Sequence, residues 1–250
     1  MLIATQFLWA SALIVARGVH EALPPIGFSF WRWVVAAIVM TPFALPQLIK
    51  HWAFLRPRLD KIFMLGLFIA GGSTGLIWAV QFTTATNASL MGASQPILTA
   101  LVAWLVVHER LRPLQIVGVV AATVGIVMMI AQMDLVIILS LSFNPGDALM
   151  LLSVLFYAFY TINLHRWLGG INPLLMLYLA AITGSLILIP AVIAEGIMVA
   201  PVSFVWDAVG GILYMAIVPT VLATTMWNAS LGTVGANRAT IFINLLPVFG

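Results

Sequence analysis

Residues 81–113, QFTTATNASLMGASQPILTALVAWLVVHERLRP, decide how this chain folds. Residues 88–107 contain no charged side chain. At about 1.5 Å of rise per residue they reach the roughly 30 Å that a bilayer core demands. The stretch therefore predicts a membrane-spanning helix. It also carries Asn87, Ser89, Ser94, Gln95, Pro96 and Thr99 at helical spacings. Such groups are costly in lipid unless neighbouring helices or a water-filled cavity receive their hydrogen bonds, so this helix is expected to face a pathway. It ends at His108, Glu109, Arg110, Leu111, Arg112 and Pro113, a charged stop followed by a residue that does not continue a helix.

The rest of the chain has the same character. Of 250 residues, 63% are hydrophobic and 7% charged, against about 25% charged in an ordinary soluble domain. A soluble globular fold is excluded. The net charge of +3 does not point to nucleic acid, because the basic residues sit at the ends of apolar runs, where they orient a membrane protein. There is no cysteine, hence no disulfide, thiolate nucleophile or Cys-based metal site. The N-terminal MLIATQFLWASALIVARG lacks the basic start and small-residue cleavage site of a signal peptide and reads as a first span.

Charges and breakers predict spans over residues 1–19, 26–48, 62–82, 88–107, 114–133, 147–164, 174–194 and 206–228, with a ninth beginning near Ala236. Residues 50–61 are the most polar connector; residues 134–146 are a second, and Glu195 and Pro201 belong to a third. Only 12 residues follow Arg238, about 18 Å of helix, so the ninth span is expected to be truncated. With a cytoplasmic N-terminus, the connectors after even-numbered spans hold Lys50, Arg56, Arg58, Lys61, Arg110, Arg112, Arg166 and Arg238, eight of the ten basic residues. The positive-inside rule predicts that orientation, in a cytoplasmic (inner) membrane.

At an offset of 148, Trp9 pairs with Tyr157, Ala10 with Ala158, Pro25 with Pro173 and Pro42 with Pro190; at 151, Ala88 pairs with Ala239, Ser89 with Thr240 and Pro96 with Pro247. These ordered matches point to a duplicated unit of about five spans. An odd number of spans inserts the second copy upside down, a transporter plan in which two halves alternate around a midplane site.

FLWASAL at 7–13, LPPIGFSFWRW at 23–33, TATNASLMGASQPILTALVAWLVVHERLRPLQIVG at 84–118, GDALMLLSVLFYAFYT at 146–161 and ANRATIFINLLPVFG at 236–250 resemble the EamA-type branch of the drug/metabolite transporter superfamily. The resemblance implies an all-α integral membrane protein with two inverted repeats of five helices. The first repeat is residues 1–133, the connector 134–146 and the second repeat 147–250. It implies a pathway among spans one, three, four, six, eight and nine. The family usually has Gly-Glu-Arg where this chain has His108, Glu109 and Arg110.

Seven residues are candidates for contact with a small-molecule substrate: Trp9, Arg32, Trp78, Gln95, Tyr157, Tyr160 and Asn244. Arg32 near the start of span two either binds an anionic group, pairs with Glu21, or snorkels to the outer interface. Trp9 and Tyr157 match across the repeat and are expected in a cavity. Trp78, Tyr160 and Trp227 suit an interfacial belt or simple packing at least as well. Gln95 and Asn244 flank the paired prolines, where a broken backbone ladder frees carbonyls; interhelical bonding is the plainer role for such amides. GGSTG at 71–75 lacks the lysine of a phosphate loop and suits close helix packing, and His108-Glu109 has no second histidine to make a zinc site.

These features predict a carrier in the lipid bilayer that exports a small metabolite, amino acid or drug-like solute by rocking one repeat against the other. No cofactor, metal or nucleic-acid partner is implied, and the oligomeric state stays open. The rivals are an integral membrane enzyme, such as a lipid-modifying transferase, and a scaffold without a cavity. The enzyme needs a cluster of reactive groups, whereas His20, His51, His108 and His165 lie on separate connectors or helix ends.

Overall fold

A computed structural model gives the fold. It describes residues 1–18, 23–83, 91–92, 94–108, 113, 117–118, 121, 124 and 144–249. Glu21, Asn87, Glu109, Arg110, Arg112, and most of the expected fifth span and of the 134–146 connector, lie outside the described residues.

All regular structure among the described residues is helical. Helix α1 is Leu2–Gly18 and α2 is Pro25–Leu55. A 3-10 turn, Arg56–Arg58, leads to α3, Leu59–Ala79. Helix α4 is Gln95–Val107, α5 is Pro145–Leu168 and α6 is Pro173–Met198. Next comes a rod made of α7, Trp206–Met215, a π-helical stretch, Ala216–Ala223, and α8, Thr224–Val234. Gly235, at φ 82°, turns the chain into three short pieces: α9, Ala236–Ala239, a 3-10 stretch, Thr240–Leu245, and α10, Leu246–Phe249.

Among the described residues, four stretches are long and apolar enough to cross a membrane: Pro25–Ala79, Pro145–Leu168, Pro173–Met198 and Trp206–Val234. Large apolar side chains such as Ile38, Phe43, Ile189, Ile193 and Leu222 are exposed on them. In water that surface would aggregate; in lipid it is the expected outer face of a multi-pass membrane protein. The first of the four folds back on itself. Ser29 and Thr74 share a hydroxyl hydrogen bond of 2.7 Å, and Trp33 Nε1 donates to Ser73 Oγ at 3.0 Å. The start of α2 thus lies against the end of α3, and the reversal falls at Arg56–Arg58.

Several expected boundaries are corrected. The polar connector at 50–61 is helical almost throughout. One of its charges is met locally: Arg58 Nη1 donates to the Phe54 carbonyl at 2.7 Å, and the guanidinium lies 3.9 Å over the Phe54 ring. In span four, residues 88–90 and 93 lie outside the described residues. Met91 and Gly92 are helical, Ser94 is a turn, and α4 restarts at Gln95 with Pro96 in its first turn. Proline has no N–H and a fixed φ, so it fits the first turn of a helix, where that N–H would have no partner anyway. Glu195 lies inside α6 rather than in a connector, and span eight runs on to Val234. Asn144 caps α5 through its side chain, accepting from Gly146 N at 2.8 Å, so that helix starts at Pro145 instead of residue 147.

Glycines set how closely α3 meets the second part of the chain. A Cβ on Gly72 would stand 3.2 Å from the Ser153 carbonyl of α5, and one on Gly66 would stand 2.8 Å from Gly184 N of α6. Ser153 Oγ donates directly to the Gly72 carbonyl. The GGSTG stretch is therefore a packing face, as close-approach glycines in membrane helices usually are.

Candidate functional site

The π-helical stretch has a local cause. Pro219 lacks the N–H that an α-helix would use, and the hydroxyls of the following residues reach back five positions instead. Thr220 Oγ1 donates to the Met215 carbonyl at 2.8 Å, and Thr224 Oγ1 donates to the Pro219 carbonyl at 3.0 Å. The widened turn presents Pro219 and Thr220 to α1 and α2. Trp9 Nε1 donates to the Pro219 carbonyl at 3.2 Å, and Arg32 Nη1 donates to Thr220 Oγ1 at 3.1 Å.

Between these groups is a cavity of about 100 Å³, enough for several waters. Of the seven candidates read from sequence, Trp9, Arg32, Gln95, Tyr157 and Tyr160 line it together. Trp33 and Trp227 add ring walls, with Trp9 and Trp227 centred 5.1 Å apart. Besides Arg32, polar residues in the lining are few: Ser73, Gln95, Thr224 and the two tyrosines. Apolar walls with a small number of directed polar groups are the usual make-up of a small-molecule site.

Arg32 does not snorkel. It is 6% exposed, and its guanidinium carbon lies 4.7 Å from the centre of the Trp33 ring. Its Nε and Nη2 have no hydrogen-bond partner among the described residues and are closed off from solvent. Tyr160 is held rigidly: its hydroxyl and the Asn228 amide lie 2.9 Å apart at Nδ2, and His165 Nε2 lies 2.7 Å from the Asn228 carbonyl.

Trp78 and Asn244 are not among the described residues that line the cavity. On α3 the lining positions are Ile69, Ser73, Leu76 and Ile77, a stripe at helical spacing. Trp78 falls off that stripe and is 39% exposed. Asn244 is exposed, whereas its neighbour Ile243 lines the cavity; a 3-10 helix turns about a third of a circle per residue, which separates the two. Sequence reasoning missed Trp33, Thr220 and the Pro219 carbonyl. The available signal was a proline in mid-span followed by Thr220, Thr224 and Thr225.

Among the described residues, no group of three or more His, Asp or Glu side chains is placed to hold a metal ion. A model of the EamA-like transporter family matches residues 1–131 and again 144–250. An uncharacterized transporter of Archaeoglobus fulgidus is 26% identical over 259 aligned residues, covering 100% of this chain and 85% of that protein. The uncharacterized transporter YyaM of Bacillus subtilis is 25% identical over 253, covering 99% and 82%. A solved crystal structure superposes with a TM-score of 0.63 at 15% identity, over 98% of this chain and 85% of that one, which shows a shared fold. With its two matched segments taking in nearly the whole chain, the protein belongs to the EamA-like transporter family, part of the drug/metabolite transporter superfamily.

Proposed function

We propose that the chain is a multi-pass carrier that moves a small organic solute across the cytoplasmic membrane, most simply outward, around the cavity between α1–α4 and α5–α10. One observation carries this reading. Both family-matched segments supply the wall, Trp9, Arg32 and Gln95 from the first and Tyr157, Tyr160 and Trp227 from the second. A site shared by two halves is what alternating access requires, because rocking one against the other exposes it to each side in turn.

The inverted-repeat plan, five spans in each half with residues 1–133 and 147–250 as its units, has further support. The family match falls in two segments. Pro25 and Pro173, paired in sequence, each open a helix; Pro42 and Pro190, likewise paired, each lie inside one. Trp9 and Tyr157, the paired rings, meet at the cavity. The distribution of Lys and Arg favours a cytoplasmic N-terminus. The cavity itself argues against a solid scaffold, and the relatives are named as transporters rather than enzymes.

The test is counterflow in liposomes holding the full-length protein, with a panel of labelled aromatic and branched-chain solutes. Saturable exchange is expected, reduced at least tenfold in Trp9→Ala and Gln95→Ala and retained in Trp78→Ala. Wild-type rates in both cavity variants would remove the site from the cavity; no saturable exchange of any solute would remove the carrier.

A further inference from the structure

The unpaired side of Arg32 is chemically specific. A guanidinium carries five N–H donors in a fixed fork. Nη1 is taken by Thr220, and the two nitrogens left without partners, Nε and Nη2, are the adjacent pair whose N–H bonds run parallel along one edge. That edge matches the two oxygens of a carboxylate. A fully buried cation with two idle donors is a costly arrangement in a folded protein, and it persists where a ligand completes it. Among the described lining residues Arg32 is the only charged one, so the cavity balances a single negative charge. Around it the wall is ring and aliphatic surface, including Trp9, Trp33, Tyr157 and Trp227.

Resting on the carrier reading, we propose that the solute is a monocarboxylate with a small apolar or aromatic body. Its carboxylate is held side-on by Arg32 Nε and Nη2, and its body lies against the Trp9 and Trp227 rings. Nε and Nη2 are covered on all sides in this conformation, so carboxylate binding requires the wall beside Arg32 to part. A neutral amide of the same shape leaves the charge unmatched. An organic cation meets repulsion from Arg32. A phosphate dianion lacks a second cation. Discrimination therefore rests on the head group more than on the body.

Thermal unfolding of the purified full-length protein in detergent, with 3-phenylpropanoate, 3-phenylpropanamide, phenethylammonium and phenyl phosphate as probes, tests the assignment. The carboxylate alone is expected to raise the midpoint saturably. Its apparent affinity should fall at least tenfold in Arg32→Gln and less in Arg32→Lys, which keeps the charge but loses the fork. Without ligand, Arg32→Gln should unfold no earlier than wild type, because it removes an uncompensated buried charge; this separates lost binding from lost folding. Equal stabilisation by the amide or the phosphate, undiminished binding by Arg32→Gln, or no shift with the carboxylate would overturn the proposal. If counterflow of neutral solutes persists in any of those cases, the carrier stands and only the solute class falls.

Discussion

Glu195 Oε2 accepts the Gly27 N–H at 2.6 Å while its Oε1 accepts the Ile26 N–H at 3.0 Å, so a carboxylate on α6 caps the first turn of α2 from 168 residues away. Helix α2 needs that help. Pro24 and Pro25 begin it, and no side chain of its own caps it, leaving its first free N–H groups without local acceptors. A negative group at this end also meets the positive end of the helix dipole. The contact ties the two family-matched segments together at the root of the helix that bears Arg32.

Glu195→Ala is expected to destabilise the protein by at least the about 0.5–2 kcal/mol that loss of an N-cap costs. Glu195→Gln, which keeps one carbonyl acceptor, should fall between it and wild type. Thermal or denaturant unfolding in detergent measures both, and an unchanged midpoint for Glu195→Ala would mean that the cap contributes nothing.

Among the described residues Thr220 is the one hydrogen-bond partner of the Arg32 guanidinium, and its hydroxyl also closes the π-turn onto Met215. Thr220→Val preserves shape and removes both bonds. A buried donor left unpaired costs about 1–3 kcal/mol, so the variant should unfold earlier. Combined with Arg32→Met the penalty should shrink, since the stranded cation is gone; strict additivity in that double-mutant cycle would show that the two side chains do not interact.

The Tyr160 hydroxyl and the Asn228 side-chain amide, both buried, bond to each other. Tyr160→Phe leaves the Asn228 amide stranded and should cost more than the roughly 1 kcal/mol of an ordinary hydrogen bond. Asn228→Leu should cost more again, because Tyr160 then lacks a partner and the new side chain has a different shape. Equal midpoints for Tyr160→Phe and wild type would place water, rather than the hydroxyl, on Asn228.

His108 ends α4 at φ 57°, in the left-handed region. Glycine is the residue that adopts this backbone freely. His108→Val should lose about 1–2 kcal/mol through the strain a branched side chain meets there, whereas His108→Gly should match or exceed wild type. The ordering of the three midpoints is the check, and a valine variant as stable as glycine would contradict it.

Gly66→Val should fail to yield the wild-type fold. Its side chain would enter space held by Thr183 and the backbone of Gly184, and overpacking of this kind typically costs about 1–3 kcal/mol or more. Gly210 of α7, whose Cβ would meet nothing within 4 Å among the described residues, should accept alanine without loss. Monodispersity on size-exclusion chromatography separates the two.

Sequence alone determined that the chain crosses a membrane in several apolar helices, and roughly where those helices begin. Charge-free length and the missing N–H of proline act within a few residues of themselves, and Pro25, Pro145 and Pro173 all open helices. It also identified most of the cavity's aromatic and amide residues by type. Tertiary structure decided which of them meet. Trp78 and Asn244 have suitable side chains at the wrong angle, and that angle is set by how α3 and the 3-10 stretch pack against their neighbours. Glu195 read as a connector because a charge is costly in an apolar helix; across the bundle it finds two N–H donors that cancel the cost. Arg32 is the reverse case: its neighbours leave one edge of the guanidinium unmatched. Whether a buried charge is satisfied depends on groups far away in the chain, and only folding brings those groups within hydrogen-bonding distance.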